Sequence, residues 1–272
     1  MKYTPVVDRT YDLLARSRLV VRGAVRIRGV ATAVIAKRMA PSTLAERNGE
    51  YWLLERLGPE VRVVVDVGAN VGDWSARAIE SFPALERLIC FEPGTWAADE
   101  LQKRLGGDAR VDVVRRAVGD RRAEVTFWEE PHGGTMSSGV AGHSSSSAIA
   151  RTVETVTLDE ELRRLAVDKV DLLKVDAEGL DLHVLRGVAG LLRANAIDVI
   201  QFEYTDAWQD AGSTLRAAYT LLADAGYRTM VLTSAGLRDF PLRSFTELFV
   251  YANFVAVSSE SITRFQPFLP SW

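Results

Sequence analysis

From Val61 onward, short apolar runs alternate with segments that have helical spacing. The runs "VRVVVDV", "ERLICFEP", "VDLLKVDAEG" and "IDVIQFEY" are mostly apolar, and each contains or ends on acidic residues. Such runs predict strands covered on both faces, and their alternation with helices predicts right-handed βαβ units. The pattern therefore predicts an α/β, Rossmann-like fold with a mostly parallel sheet.

The first part of the chain has a different pattern. Residues 1–57 are rich in Ala, Arg and Leu and are interrupted at Pro41-Ser42, after which "STLAERNGEYWLLERLG" predicts one capped helix. We therefore predict a helical extension over residues 1–57 and an α/β domain over residues 58–272. Within that domain "RVDVVRRAV" and "EVTFWEE" predict the third and fourth strands, and a Gly/Ser-rich loop over residues 131–148 follows them.

Charge is distributed unevenly along the chain. The net charge is −3, yet residues 1–50 hold ten Lys and Arg against four Asp and Glu. This basic segment is either a helix face exposed to solvent or a contact surface. The contact could be with an acidic partner or with a second copy of the chain, so a homodimer through these helices is one of the alternatives. Arg22, Arg26 and Arg28 interrupt its apolar stretch, which argues against a membrane span and a secretory signal.

The cysteine and arginine content adds two expectations, one about the cellular compartment and one about the organism. Cys90 is the single cysteine, so no intrachain disulfide can form, which fits a reducing compartment. We therefore expect a cytoplasmic protein. The 28 arginines against five lysines favour a bacterial origin.

The loop after the first strand, "DVGANVGDWS", indicates a ligand seat. Asp66 ends the strand, and the segment Gly68–Gly72, with Ala69 and Asn70 inside it, forms the turn before a helix. Glycine allows close approach of the backbone, and the free N–H groups of the helix favour an anionic group such as a carboxylate. Asp73 is the predicted N-cap of that helix.

The end of the second strand narrows the choice of ligand. Glu92 lies 26 residues after Asp66, where a carboxylate can accept two hydrogen bonds from a ribose diol, and Pro93 stiffens the turn. The loop lacks the third glycine of a dinucleotide fingerprint, and an acid at Asp66 would repel a pyrophosphate. A nucleoside with an amino-acid tail suits both acids, which predicts S-adenosyl-L-methionine as cofactor.

Several segments in order resemble the FkbM family of S-adenosylmethionine-dependent methyltransferases. They are "DVGANVGDWS", "FEPG", "RRAVGD", "TVTLDEEL", "LLKVDAEGLD" and "VIQFEY", spread from about Val61 to Val257. The resemblance implies a seven-stranded methyltransferase fold over residues 58–272 and O-methylation of a sugar, oligosaccharide or natural product such as a polyketide. It also implies that Ala117 and Val118 flank the adenine and that Asp176 lies near the transferred methyl group.

A hydroxyl acceptor needs a base, and histidine suits that task near neutral pH. His143 lies in the Gly/Ser loop, which follows the fourth strand and can fold over the cofactor, so we rank it first. His183 lies in a helix and is more typical of a structural residue. His132 begins the same loop as His143.

A second group of candidates comes from the strand "LLKVDAEG" and its predicted neighbour. Alternation places Lys174 and Asp176 on one face, and Glu178, Glu203 and Tyr204 are expected nearby. They could bind sugar hydroxyls or form a structural ion-pair set. A divalent metal is compatible with these acids but is not predicted, because no compact His/Asp motif is present.

Two other classes of function stay open at this stage. An NAD(P)-dependent oxidoreductase is disfavoured by the missing glycine and by Asp66, and a non-catalytic cofactor-binding module would bind without turnover. A nucleic-acid substrate is disfavoured because the body of the chain is acidic. The expected partner is therefore a small-molecule or oligosaccharide acceptor.

Overall fold

The centre of the fold is an eight-stranded sheet with an apolar core on each face. A computed structural model describes residues 5–39, 42–131, 137–239, 247 and 249–265. One core contains Leu185 and Leu222 from helices that follow the later strands, and the other contains Leu54 and Leu101 from earlier helices. The predicted Rossmann-like α/β fold is confirmed.

The secondary structure of the described residues follows the predicted alternation. The helices are α1 Pro5–Ala15, α2 Arg18–Met39, α3 Ala45–Asn48, α4 Glu50–Leu57, α5 Asp73–Ser81, α6 Thr95–Leu105, α7 Leu158–Arg164, α8 Asp181–Gly187, α9 Ala189–Arg193, α10 Ala207–Asp210, α11 Leu215–Asp224 and α12 Ile262–Phe265. The strands are β1 Val63–Val67, β2 Arg87–Phe91, β3 Val111–Val114, β4 Ala117–Val118, β5 Ala123–Glu129, β6 Ile149–Val156, β7 Val170–Val175, β8 Ile197–Tyr204, β9 Tyr227–Thr233, β10 Gly236–Asp239 and β11 Ala252–Ser258.

The main sheet has the order β10-β9-β11-β8-β7-β1-β2-β3. The block from β8 to β3 is parallel, whereas β11 lies antiparallel between β8 and β9, and β10 is antiparallel to β9. The carboxyl ends of β1, β2 and β7 therefore meet at one edge. The sheet has one strand more than predicted, because β10 is a short polar segment, "GLRD", that pairs through its backbone.

The strands β4, β5 and β6 form a second sheet with the order β4-β6-β5. The single strand predicted over "RVDVVRRAV" is wrong: it divides into β3 and β4, and the charged pair Arg115-Arg116 lies at the break. "EVTFWEE" is a strand, as predicted, but β5 pairs with β6 and not with the main sheet. Hydrophobic spacing predicts a strand but does not identify its pairing partner.

The predicted helix over "STLAERNGEYWLLERLG" is two helices that meet at Gly49. The φ of Gly49 is +105°, and a Cβ there would lie 2.5 Å from the carbonyl oxygen of Thr233. The glycine therefore turns the chain so that α4 packs on the main sheet, where Leu53 and Leu57 are buried. The division at residue 57 stays a prediction, although α4 shares the core of the domain that follows it.

The start of α5 also differs from the prediction. Gly72 is the N-cap residue with φ +83°, and Asp73 is the first residue of the helix. The Asp73 side chain forms an ion pair with Arg104 of α6 and makes no capping bond. Among the described helices, none has both the length and the apolar character needed to cross a bilayer.

We predict that Leu53→Ala lowers the free energy of unfolding by ~2–5 kcal/mol, because it leaves a cavity under the sheet. Leu53 is 0% exposed. The matched control is Leu44→Ala, at a side chain that is 55% exposed and should cost less than ~0.5 kcal/mol. Urea unfolding measures both variants, and equal losses would contradict the packing of α4 as part of the core.

Candidate functional site

A cavity of about 360 Å³ opens at the edge where β1, β2 and β7 end. The second sheet and the start of α8 form its other walls. The predicted residues that line it are Gly68, Asn70, Glu92, Pro93, Ala117, Val118, Asp176 and Glu178. Lining residues that were not predicted include Phe91, Asp120, Arg121, Phe127 and Leu180, and the cavity is also lined by His183, which the sequence indicated as a structural residue. The structure thus brings the first-loop and second-strand candidates to one cavity.

Gly68 brings the first loop into contact with the end of β7. Its φ is +80°, and a Cβ on it would lie 1.9 Å from the carbonyl oxygen of Asp176. Only glycine fits this approach without a shift of backbone. The next turn holds Asn70 at φ +48°, in the left-handed region that asparagine tolerates better than most side chains.

Glu92 is buried and accepts two backbone hydrogen bonds. The N–H of Gly94 donates to Oε1 at 2.7 Å, and the N–H of Asn70 donates to Oε2 at 2.8 Å. Burial raises the pKa of Glu92 to about 7, although these two hydrogen bonds oppose the rise. The carboxyl is therefore held in a fixed orientation at the cavity wall by the two loops beside it.

Asp66 is completely buried and is not among the residues that line the cavity. The Ser75 hydroxyl donates to its Oδ2 at 2.6 Å, and its Oδ1 lies 3.7 Å from Nζ of Lys174. Burial raises the pKa of Asp66, and Lys174 opposes the rise. The side chain therefore lies behind the cavity wall, between Ser75 of α5 and Lys174 of β7.

Lys174 is buried and contacts both a residue that lines the cavity and acidic residues in the protein interior. Its Nζ donates to Oδ2 of Asp176 at 2.9 Å and lies 5.6 Å from the centre of the Trp74 ring. Burial lowers the pKa of Lys174, but the carboxylates of Asp176, Asp66 and Glu50 outweigh burial and hold it well above its usual value. The ammonium therefore stays charged and orients Asp176.

Glu50 brings the helical extension to this group of charges. It accepts a hydrogen bond from Nδ2 of Asn253 at 3.3 Å and another from Asn48. Burial raises its pKa, and Lys174 opposes the rise. The sequence analysis missed Glu50, since no pattern in "ERNGEYW" indicates which face of the sheet α4 would cover.

The carboxyls of Glu178, Asp181 and Glu203 lie at or just after the ends of β7 and β8. Burial and the charges of Asp176 and Asp181 raise the pKa of Glu178, and burial with Asp176 and Glu178 raises that of Glu203 well above its usual value. Glu178 has a φ of +47°. As predicted, β8 is the neighbour of β7, and Lys174 pairs in register with Gln201. Protonated carboxyls at neutral pH can donate hydrogen bonds as well as accept them.

The histidines are distributed differently from the expectation. His143 has its Nε2 2.6 Å from Oδ2 of Asp210, and it is not among the lining residues. His183 lines the cavity, with its Nδ1 3.2 Å from Oδ2 of Asp120. His132 lies outside the described residues. The position of His183, two residues into α8, is the signal that could have identified it, because α8 begins at the cavity edge.

Five other predicted residues are not among those that line the cavity: Ala69, Gly72, Lys174, Glu203 and Tyr204. Tyr204 is fully buried beside Trp208 and Phe254, and its hydroxyl donates to Oε2 of Glu247 at 3.0 Å. Ala69 is buried and packs in the core with the first helices. Within the described ranges no three His, Cys, Asp or Glu side chains are grouped so that they could hold a metal ion.

A sequence profile described as the Methyltransferase FkbM domain matches residues 66–229, which is more than half of the chain. The chain belongs to the FkbM methyltransferase family. That match spans the strands β1 to β8 and reaches into β9, and it includes each cavity residue named above from Gly68 to His183. Methyltransferase activity can therefore be assigned to this chain at the level of its family.

Individual relatives are distant. The chain is 28% identical over 167 residues to the 2-O-methyltransferase NoeI of Sinorhizobium fredii, covering 57% of this chain and 66% of NoeI. It is 28% identical over 160 residues to the methyltransferase sdnD of Sordaria araneosa, covering 48% and 61%. The matched region thus spans somewhat less than two thirds of these relatives. A crystal structure of methyltransferase FkbM from Methylobacillus flagellatus aligns over 72% of this chain and 44% of that one, with 16% identity and a TM-score of 0.46.

We predict that Asp181→Asn flattens the pH dependence of stability. Burial, together with Asp176, raises the pKa of Asp181 from 3.8 to about 7. Between these values the folded protein keeps a proton that the unfolded chain has lost. This contribution to the free energy of unfolding is fully present below about pH 4 and is lost by about pH 7, a change of up to ~4 kcal/mol. Urea unfolding at several pH values in this window tests it, and equal slopes in both proteins would contradict it.

Proposed function

We propose that this methyltransferase uses S-adenosyl-L-methionine to methylate a hydroxyl oxygen of a sugar or oligosaccharide. Family membership supports methyl transfer, and the name of the relative NoeI, a 2-O-methyltransferase, supports oxygen as the acceptor atom. The observation that carries the proposal is the contact between Gly68 and the Asp176 backbone, because it joins a nucleoside seat and an acidic acceptor site within one cavity.

The cavity suits the cofactor by shape and by chemistry. Gly68 lets the first loop lie close against the end of β7, since a Cβ there would meet the carbonyl oxygen of Asp176 at 1.9 Å. The Gly68–Gly72 backbone would hold the carboxylate of the amino-acid tail, and Glu92 would accept from the ribose hydroxyls. Ala117 and Val118, which also line the cavity, would flank the adenine, as the family resemblance implies. The ammonium of the same tail would lie near the loop that follows Asp66.

S-adenosylmethionine supplies an already activated methyl group, so the protein has to position the acceptor and take up its proton. We assign proton uptake to Asp176, which lines the cavity and is oriented by Lys174 at 2.9 Å. Glu178 and Glu203 would hydrogen-bond to neighbouring sugar hydroxyls. Several hydroxyls on one ring match a group of carboxyls better than a single hydroxyl on an apolar scaffold does.

His143 stays a prediction as general base. Its ring is held by Asp210, and the loop that carries it continues into residues outside the described ranges. His183 is a second histidine candidate, since it lines the cavity and is oriented by Asp120. Substitution separates the three candidates, because a base acts on turnover and leaves cofactor affinity in place.

We predict that Gly68→Ala abolishes binding of S-adenosylhomocysteine, measured by calorimetry. The matched control is Gly212→Ala: its φ of +65° is also positive, but a Cβ there would meet no atom within 4 Å. The control should therefore bind like wild type after a similar backbone penalty. Binding of NAD in place of S-adenosylhomocysteine would overturn the proposed cofactor.

We predict that Asp176→Asn lowers kcat by on the order of 10²-fold or more and keeps the Kd for S-adenosylhomocysteine, because it removes the proton acceptor. Asp206→Asn, on the surface, is the matched control. His143→Ala and His183→Ala run in the same assay. Full activity in Asp176→Asn with a loss confined to His143→Ala would move the base to His143.

The acceptor class is tested by mass spectrometry with a labelled methyl donor. Mono- and oligosaccharides come first, followed by polyketides. The expected result is a mass increase of one methyl group on a sugar hydroxyl. Methylation of polyketides alone would overturn the sugar assignment and would keep O-methyl transfer.

A further inference from the structure

The helix α2 exposes an apolar face that no described part of the chain covers. Of the large hydrophobic side chains exposed in the described residues, ten lie between Tyr11 and Val34, and three lie elsewhere. On α2, Leu19 is 80% exposed, Ile27 72% and Val30 66%. Such a concentration of exposed apolar surface marks an interaction site.

A basic stripe runs along the edge of this face. Arg18, Arg22 and Arg26 follow one another at four-residue spacing, so they lie on one side of the helix, and all three are exposed. Leu19, Val30 and Ile27 fall in order next to that stripe when the helix is viewed along its axis. The arginine stripe therefore borders the apolar side chains Leu19, Val30 and Ile27, whereas the exposed Val21 and Val25 lie on the other side of the stripe.

The net positive charge of α2 limits the kinds of partner that could cover its apolar face. Its 22 residues contain no Asp or Glu. Among the described residues no ion pair is recorded for Arg18, Arg22 or Arg26. If α2 packed on α2 of a second copy, it would bring these cations together without a counter-charge on either helix. The body of a second copy is acidic, but among its described residues past 45 the exposed large apolar side chains are Trp96 and Ile149, too few to cover the face.

We propose that α2 lies on the surface of a membrane that contains anionic phospholipids. The apolar side chains would enter the boundary between headgroups and acyl chains, and the arginines would pair with lipid phosphates. At 1.5 Å per residue a helix of this length extends over about 33 Å of surface. The arginines keep it in the plane of the surface, and the C-terminal end is fixed to the main domain through Met39, which is buried in its core.

The test is flotation of the full-length protein with vesicles of phosphatidylcholine, with and without about 30% phosphatidylglycerol. One variant changes Arg18, Arg22 and Arg26 to Gln, and another changes Leu19, Ile27 and Val30 to Gln. The matched control changes Arg163, Arg193 and Arg216, which are exposed arginines of the main domain, to Gln. All nine side chains are at the surface, so folding should persist, and circular dichroism verifies it.

We expect wild type to float with the anionic vesicles and to be released by salt at about 0.5 M. The α2 arginine variant should bind about a hundredfold more weakly, the apolar variant should be lost from the vesicles, and the control should bind like wild type. Failure of wild type to bind anionic vesicles, or an equal loss in the control, would overturn the proposal. A dimer in light scattering that only the apolar variant dissociates, without vesicle binding, would overturn it in favour of a second copy.

Discussion

The buried ammonium of Lys174 is the interaction on which the arrangement of this site depends. It stands between Asp66 of β1, Asp176 after β7 and the charge of Glu50 on α4. Each of these acids comes from a different part of the chain, and the carboxyls of Asp66 and Glu50 are buried, where a carboxylate is costly to hold without a cation beside it. One side chain thus links the first strand, the end of β7 at the cavity and the helix that precedes the sheet.

Removal of any one partner from such a group leaves charge uncompensated inside the protein, so the positions constrain one another. The first loop is connected to the same group, because Gly68 lies against the backbone of Asp176 and the N–H of Asn70 donates to Glu92. The residues proposed for the cofactor and those proposed for the acceptor are therefore linked by one network of charges and backbone contacts. A methyl donor and an acceptor bound there would be placed relative to each other by the same contacts.

The main sheet and the loop after β1 could be predicted because their signals are local. Apolar runs ended by Asp66 and Glu92, with glycines between them, fix both the strands and the edge at which they meet. Features that depend on contacts between residues distant in sequence could not be predicted in the same way. The pairing of β5 with β6, the break at Gly49 and the cover provided by Glu50 depend on neighbours distant in sequence.

Histidine placement shows the same limit. His183 lines the cavity because α8 starts at its edge, and the helical spacing around it suggested only packing. The aromatic Tyr204 looked available at the end of a strand, yet β11 and α10 cover it. Sequence patterns indicate which residue types are present near an edge, but burial by later elements decides which of them reach a ligand.

The small sheet of β4, β5 and β6 has a consequence for how this protein can diversify. Val118, Phe127 and Thr155 form part of the cavity wall and belong to that sheet, which shares no strand with the eight-stranded one. Substitutions in it would reshape the chamber while leaving the scaffold strands and their charges undisturbed. The part of the cavity formed by the three-stranded sheet can therefore change, in evolution or by design, while the main sheet stays the same.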